Sequence, residues 1–426
     1  MFVRRLIQPG FFRLIGLFLA FFTGLFPGFF PSLFPAGGAT AWAAPEVTGS
    51  LGVEGRYFPA DPADPAQQSG DASAFADVEF HQSTAGGNWD LTVAPFYRHD
   101  GADSERTHGD LREAFVRWIN PRVELAVGLR RVFWGVTESQ HLVDIINQTD
   151  AVENPDGEDK LGQPMVMATI PGASGTLDLF LLPYFRARTF PGPDGRPRTP
   201  LVVDADYALY EHPDRRRHPD SAVRYKRLMG PLEAALSYFH GTGREPLLLP
   251  SATCLALGCP PGVLVPYYQQ INQAGLEAQV VAGDWLWKLE AIHRSGEIGG
   301  GWSAWTAGYE YTFPAVWGTY MDLGVLTELM GDSRGNNTLS TPFEGDAMLG
   351  ARLAVNDLGS TELLAGLIAD PDGEWGAFAE GSRRFGNHLR VELEARLFGG
   401  GTPLAPTPFY YLRRDDYLQL TLTHHF

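Results

Sequence analysis

The sequence predicts an all-β chain, a transmembrane antiparallel β-barrel of about eighteen strands with sixteen as the alternative count, short turns on one rim and long loops on the other. Three observations predict it. The chain opens on an export leader, two-residue alternation recurs in segments of about ten residues, and the joints between segments alternate short and long.

The leader runs from Met1 through Arg4 and Arg5 and the apolar "LIGLFLAFFTGLF" to Ala41-Trp42-Ala43. A basic start, an apolar middle and a small-residue cleavage triplet define a secretory signal peptide. Residues 1–43 are read as that peptide and 44–426 as one barrel domain. Pro27, Pro31 and Pro35 break the segment and argue against an uncleaved membrane helix. Cleavage removes three arginines and no acids, so the net charge moves from -17 to -20. Such acidity excludes a general nucleic-acid binder. The rest of the chain has no apolar run of the ~20 residues a membrane helix needs, so any crossing must use strands.

Alternation is plain in "VELAVGLRR" from Val123, "LDLFLLPYF" from Leu177, "DWLWKLEAIHR" from Asp284 and "HLRVELEARLF" from His388. In the last, Leu389, Val391, Leu393, Ala395 and Leu397 share one face, and Arg390, Glu392, Glu394 and Arg396 the other. Aromatic residues gather near strand ends, as Trp285, Trp287, Trp305, Tyr309, Tyr311 and Phe313 do, in the pattern of an interfacial belt. Joints such as "NPR", "PGAS" and "FGN" are short; segments 59–73, 100–109, 135–163, 187–218, 242–266 and 331–344 are long. The final "DDYLQLTLTHHF" puts Leu418, Leu420, Leu422 and Phe426 in one phase, and Phe426 is the expected assembly signal.

Cys254 and Cys259 lie in "PSATCLALGCPPG", where an exported chain forms a local disulfide. No His or acid accompanies them, and no metal or cofactor is expected.

With the apolar faces turned outward, Arg117, Arg130, Lys288, Arg294, Arg352, Arg390, Glu392, Glu394 and Arg396 become candidates for the lumen lining. An eighteen-stranded interior is too wide for side chains alone to fill. Segment 135–163 holds Glu138, Asp144, Asp150, Glu153, Asp156, Glu158 and Asp159 against Lys160. It also contains "ESQHLVDIIN", read as an amphipathic helical turn carrying Leu142, Val143, Ile145 and Ile146. An apolar cluster is out of place on a surface loop. The segment is therefore expected to fold into the lumen and present its seven acids as a pore constriction. The twelve-residue spacing of a calcium loop is not met. Loop 187–218 is locally basic, with Arg188, Arg196, Arg198, Arg215, Arg216 and Arg217, suited to facing the acidic segment or to gripping lipopolysaccharide phosphates.

The stretch "GLRRVFWGVTESQHLVDIINQTD" (128–150) resembles a poorly characterised group of proteobacterial porin-like outer-membrane barrels. In that group an Arg pair leads into Trp-Gly-Glu and then, through a short apolar helix, to Asn-Pro-x-Asp. Arg130, Arg131, Trp134, Gly135, Asn147 and Asp150 match, Glu138 arrives two residues late, and Gln148 stands where Pro is usual. The resemblance implies a barrel of channel or transport type and no particular substrate.

The expected function is passage of small hydrophilic solutes or ions across the outer membrane of a Gram-negative bacterium. Expected partners are outer-membrane lipid and lipopolysaccharide, the barrel assembly machinery and a small-molecule or ion permeant; the oligomeric state is not legible. Three alternatives stay open: a barrel enzyme acting on lipid or surface polymer, a transporter of hydrophobic compounds, and an extracellular or periplasmic β-rich binding protein. No Gly-x-Ser-x-Gly, P-loop or His-Glu-x-x-His occurs, so no catalytic residue is assigned. An enzyme would need a His beside a Ser or an acid on the barrel wall.

Overall fold

The structure, a computed structural model, describes residues 42–335, 343–401 and 408–426, so all but the last two residues of the expected leader lie outside it. The first barrel strands are β1 (Glu46–Tyr57), β2 (Gly70–Ser83), β3 (Trp89–Asp100), β4 (His108–Asn120), β5 (Val123–Arg130), β6 (Gln163–Gly172) and β7 (Gly175–Leu182). Outside the wall, β8 (Leu209–Tyr210), β11 (Leu247–Pro250) and β12 (Leu264–Tyr268) form a small separate sheet between two long loops. The wall continues with β9 (Asp220–Met229), β10 (Leu232–Thr242), β13 (Gln270–Ala282), β14 (Trp285–Ser295), β15 (Trp302–Phe313) and β16 (Asp322–Asp332). It ends with β17 (Ala347–Ala354), β18 (Glu362–Ala369), β19 (Trp375–Phe385), β20 (Leu389–Gly399) and β21 (Tyr417–His425).

Each of these eighteen wall strands pairs antiparallel with its sequence neighbours, and β1 also pairs with β21, so the sheet closes and has no edge. The short-and-long joint rhythm holds around the ring: β4 to β5 takes two residues, whereas β5 to β6 spans 131–162. The register slips once between β3 and β4, at Ala94/Pro95, where the proline has no N–H to give to the ladder.

Burial is inverted relative to a soluble sandwich. On β21 the polar Gln419, Thr421 and Thr423 are buried, while Leu418, Leu420 and Leu422 are 52%, 44% and 38% exposed. Polar groups of a closed sheet are satisfied inward, leaving an aliphatic outer surface of the kind lipid requires. Trp285, Trp287, Trp305 and Phe313 are also exposed, with Trp285 and Trp287 stacked beside Tyr309. No helix among the described residues is long and apolar enough to cross a membrane, a statement that does not bear on strands.

Inside the ring sits an apolar core that a wall alone would not make. Trp134, Val143, Ile145 and Ile146 from 131–162 pack on inward-pointing Met165, Phe180, Leu182, Phe239, Ile271 and Ile292. The expected helical turn at 138–147 does not form; this stretch is irregular. Its N–H groups have other acceptors. Val136, Thr137 and Val143 donate to the Glu290 carboxylate, and Glu138 and Ser139 to Glu328, so the bonds a helix would use are taken by the wall.

Candidate functional site: the segment across the lumen

Segment 131–162 is fixed at both ends by wall side chains. On the β14–β17 side, Glu290 accepts from the N–H groups of Val136 (2.7 Å) and Thr137 (3.0 Å) and from the Thr137 hydroxyl (2.7 Å). Glu328 accepts from Glu138 N–H, Ser139 N–H and Ser139 Oγ at 2.8, 2.8 and 2.6 Å. The Glu138 carboxylate then reaches Arg352 at 2.7 Å and Lys288 at 3.8 Å.

On the far side, Arg56 and Arg106 donate to the Glu153 and Val152 carbonyls, at 2.9 Å in each case. Arg98 grips the Glu153 carboxylate at 2.8 Å, with Arg112 at 3.8 Å. Asp156 meets Arg396 of β20 at 3.1 Å, and Arg396 also binds Glu380 and Glu394. The segment thus bridges two sectors of the wall, leaving β18 and β19 between its two charged posts.

The seven acids of this segment divide by environment. Asp144, Asp150 and Glu153 have almost no solvent contact: Asp144 pairs with Lys160 at 3.2 Å, Asp150 accepts from Thr189 at 2.7 Å, and Glu153 holds its arginines. They are closed off from any water path. Glu138, Asp156, Glu158 and Asp159 keep access to water, Glu158 most of all with a side chain 54% exposed.

Burial pushes Asp144 and Asp159 above the usual carboxylate range. It raises Asp156 to about 7 against the pull of Arg396. Burial also opposes the charge on Glu158, but the bond from His141 (2.9 Å) outweighs it and lowers that carboxyl. The same bond, joined by Glu290, lifts His141 to about 10 despite burial. His141 and Glu158 are therefore a fixed ion pair near neutral pH.

The nine lining candidates all lie on the inward phase set by the strand register. Arg117 is held by Asp90 at 2.5 Å, Arg390 by Glu392 at 3.1 Å, and Glu394 receives the Tyr417 hydroxyl at 2.6 Å. Arg294 is buried under Glu245 and Glu297, with Trp302 against its guanidinium. Arg130 contacts the Met167 sulfur at 3.3 Å and the Phe115 ring. The basic loop meets the acidic segment through Thr189, which bonds Asp150, and Arg188, 3.5 Å from the Gln148 oxygen. Among the described residues its arginines form no ion pair there: Arg196 and Arg198 are drawn to Asp415 and Asp64 of neighbouring loops, and Arg215 and Arg216 engage Tyr210. Cys254 and Cys259 are joined by a disulfide of 2.02 Å. At the seam, Phe426 and Gly49 exchange backbone bonds of 3.0 and 3.1 Å.

His108, Asp150 and Glu153 converge closely enough to hold a cation, but the cationic place there is filled by Arg98 and Arg112. On the outer wall, His293 Nδ1 lies 3.0 Å from Ser303 Oγ, the His-beside-Ser arrangement an enzyme would need. Among the described residues no carboxylate orients that imidazole from its other nitrogen, so the pair stops short of a triad.

Sequence reasoning missed the bonds that Glu290 and Glu328 make to the segment, and it passed over Thr137, Ser139 and His141. The available signal was phase: each Glu sits on the inward face of its strand, within reach of a segment that needs acceptors.

No protein-family model matches the chain, and no curated protein matches it in sequence. Solved structures do match in shape. Pseudomonas aeruginosa OccK3 (OpdO) is 10% identical with a TM-score of 0.50, over 89% of this chain and 95% of that chain. OccK11 (OpdR) of the same organism is 11% identical, also at 0.50, over 89% and 95%. A triple mutant of the Rhodopseudomonas blastica porin is 12% identical at a TM-score of 0.42, over 90% and 100%, a likeness too loose to argue from. At these identities the likeness establishes the fold, a closed porin-like barrel.

Proposed function

We propose that this chain is an outer-membrane channel that passes small hydrophilic solutes or ions through a polar lumen narrowed by segment 131–162. The observation that carries the reading is the seating of this segment on inward-facing charged residues at two separated sectors of the wall. Between the Glu138–Arg352 and Asp156–Arg396 pairs, the inner faces of β18 and β19 are only partly covered at Leu364, Phe378 and Glu380, while Ile368 and Gly376 are buried. That gap is the aperture.

Its borders carry both signs of charge, which suits a conduit that must release what it admits. The long loops face the cell exterior and the short turns the periplasm, as in barrels of this type. The test is single-channel recording of refolded protein in a planar bilayer under a salt gradient. Steady current with a defined reversal potential is expected. Silence from protein shown to be folded would sink the channel reading and send attention to the outer wall, where His293 and Ser303 meet.

A further inference from the structure

We infer that Glu290 and Glu328 are positioning residues: a two-point clamp that holds segment 131–162 so that the Glu138 carboxylate stays against Arg352 and Lys288, and thereby sets the charge selectivity of the aperture. This rests on the channel reading above.

Both glutamates are almost wholly buried, at 0% and 2% exposed, on the inward faces of β14 and β16, which flank β15 in the wall. A buried carboxylate is costly unless its lone pairs are filled. Among the described residues no Lys or Arg pairs with either one; the donors are backbone N–H and hydroxyl groups of the segment, and His141 stands 4.0 Å from Glu290. Charge-assisted bonds of this kind are about twice as strong as neutral ones. If the segment left, both carboxylates would lose these partners at once. The clamp is thus mutual: the wall supplies acceptors that an irregular backbone lacks, and the segment supplies donors that the wall lacks.

The link to selectivity is geometric. Glu328 accepts from the N–H of Glu138 itself, so the residue whose side chain reaches Arg352 is the one whose backbone is held. With the clamp closed, one carboxylate faces two cations; with it open, Arg352 and Lys288 stand alone. The aperture then favours anions.

The test uses E328Q, E290Q and E138Q, with folding checked by the heat-dependent shift in gel migration. E328Q is expected to move the reversal potential toward chloride and to add open-channel noise. In an E138Q background it should cause no further shift, because the clamp acts through Glu138; fully additive shifts would overturn the clamp.

A second readout needs no current. A Cβ built at Gly275 lies 3.7 Å from the Val143 Cβ, a spacing that suits a disulfide once the Ser237 hydroxyl rotates away. V143C/G275C should cross-link readily in an otherwise unaltered chain and slowly when E290Q and E328Q are added. Oxidative closure of that cross-link should restore the original reversal potential to E328Q. Equal cross-linking rates with and without the clamp would overturn the inference. Loss of current in a chain that cross-links normally would remove the channel reading and leave the clamp standing.

Discussion

Acidic residues crowd segment 131–162, yet their surroundings give them different work. Glu153 is buried among Arg98, Arg112 and the His108 ring, and removing its charge takes one acidic partner from each, leaving Arg98 with Glu54, Arg112 with Asp159 and His108 with Asp150. Breaking one partner of a buried pair costs about 3–5 kcal/mol. E153Q is therefore expected to lower the unfolding free energy of the lipid-reconstituted barrel by up to that order and to leave the reversal potential alone; E138Q should shift the reversal potential and leave the unfolding free energy nearly unchanged. Asp156 adds a pH response. Its carboxyl is raised by burial from 3.8 to about 7, so the folded chain keeps a proton there that the unfolded chain has released. Stability from this group is present below about pH 4 and falls as pH rises to about 7. Between pH 6 and 8 the lumen gains a negative charge and cation preference should grow, while Glu158, lowered, and His141, lifted to about 10, stay charged. Asp346 and Glu374 at the long-loop rim are also raised to about 7, so the discriminating measurement is the difference between parent and D156N. A reversal potential whose pH dependence survives in D156N would remove Asp156 from the aperture.

Among the elements, strands and the crossing segment obey different rules. Strand phase was legible because each wall residue faces one of two solvents, and a period of two records that choice. The apolar run Leu142-Val143, Ile145-Ile146 likewise announced a buried segment. Its conformation was not legible, because the groups that decide it, Glu290 and Glu328, lie some 150 to 190 residues downstream in the chain. Nor could the sequence show that Phe180, Leu182, Phe239 and Ile271 would meet one another, since only the register brings them together. Where the segment leaves the wall, Gly128 of β5 has φ +141°, and a Cβ there would lie 2.2 Å from the Ala114 carbonyl oxygen. No L side chain fits without separating β4 from β5. G128A should cut the yield of heat-shifting barrel in refolding; an undiminished yield would show that this strand pair tolerates the displacement.

For the molecule as a whole, closure converts a one-residue step along any strand into a change of solvent. The row Ala351, Ala365, Ala379 and Ala395 runs across β17 to β20 on the outer face, joined by direct register pairs, while Arg352, Leu364, Glu380 and Glu394 form the row beside it on the inner face. The charge balance of the chain follows from this division. Ionisable side chains of the wall turn mostly inward, where many of them pair, and the net negative charge is shared between the wall strands and the loops. A single cation moved between the two rows of β18 tests the arrangement. Arg at a lipid-facing, mid-membrane site costs roughly 2–4 kcal/mol in a barrel, so A365R should lose about that much in lipid-reconstituted unfolding. L364R, one residue earlier, places the same charge on the aperture wall near Glu380. It should leave the unfolding midpoint nearly unchanged and move the reversal potential toward chloride. Equal destabilisation by the two would mean that both faces of β18 meet the same medium, and the division into lipid side and water side would have to be abandoned.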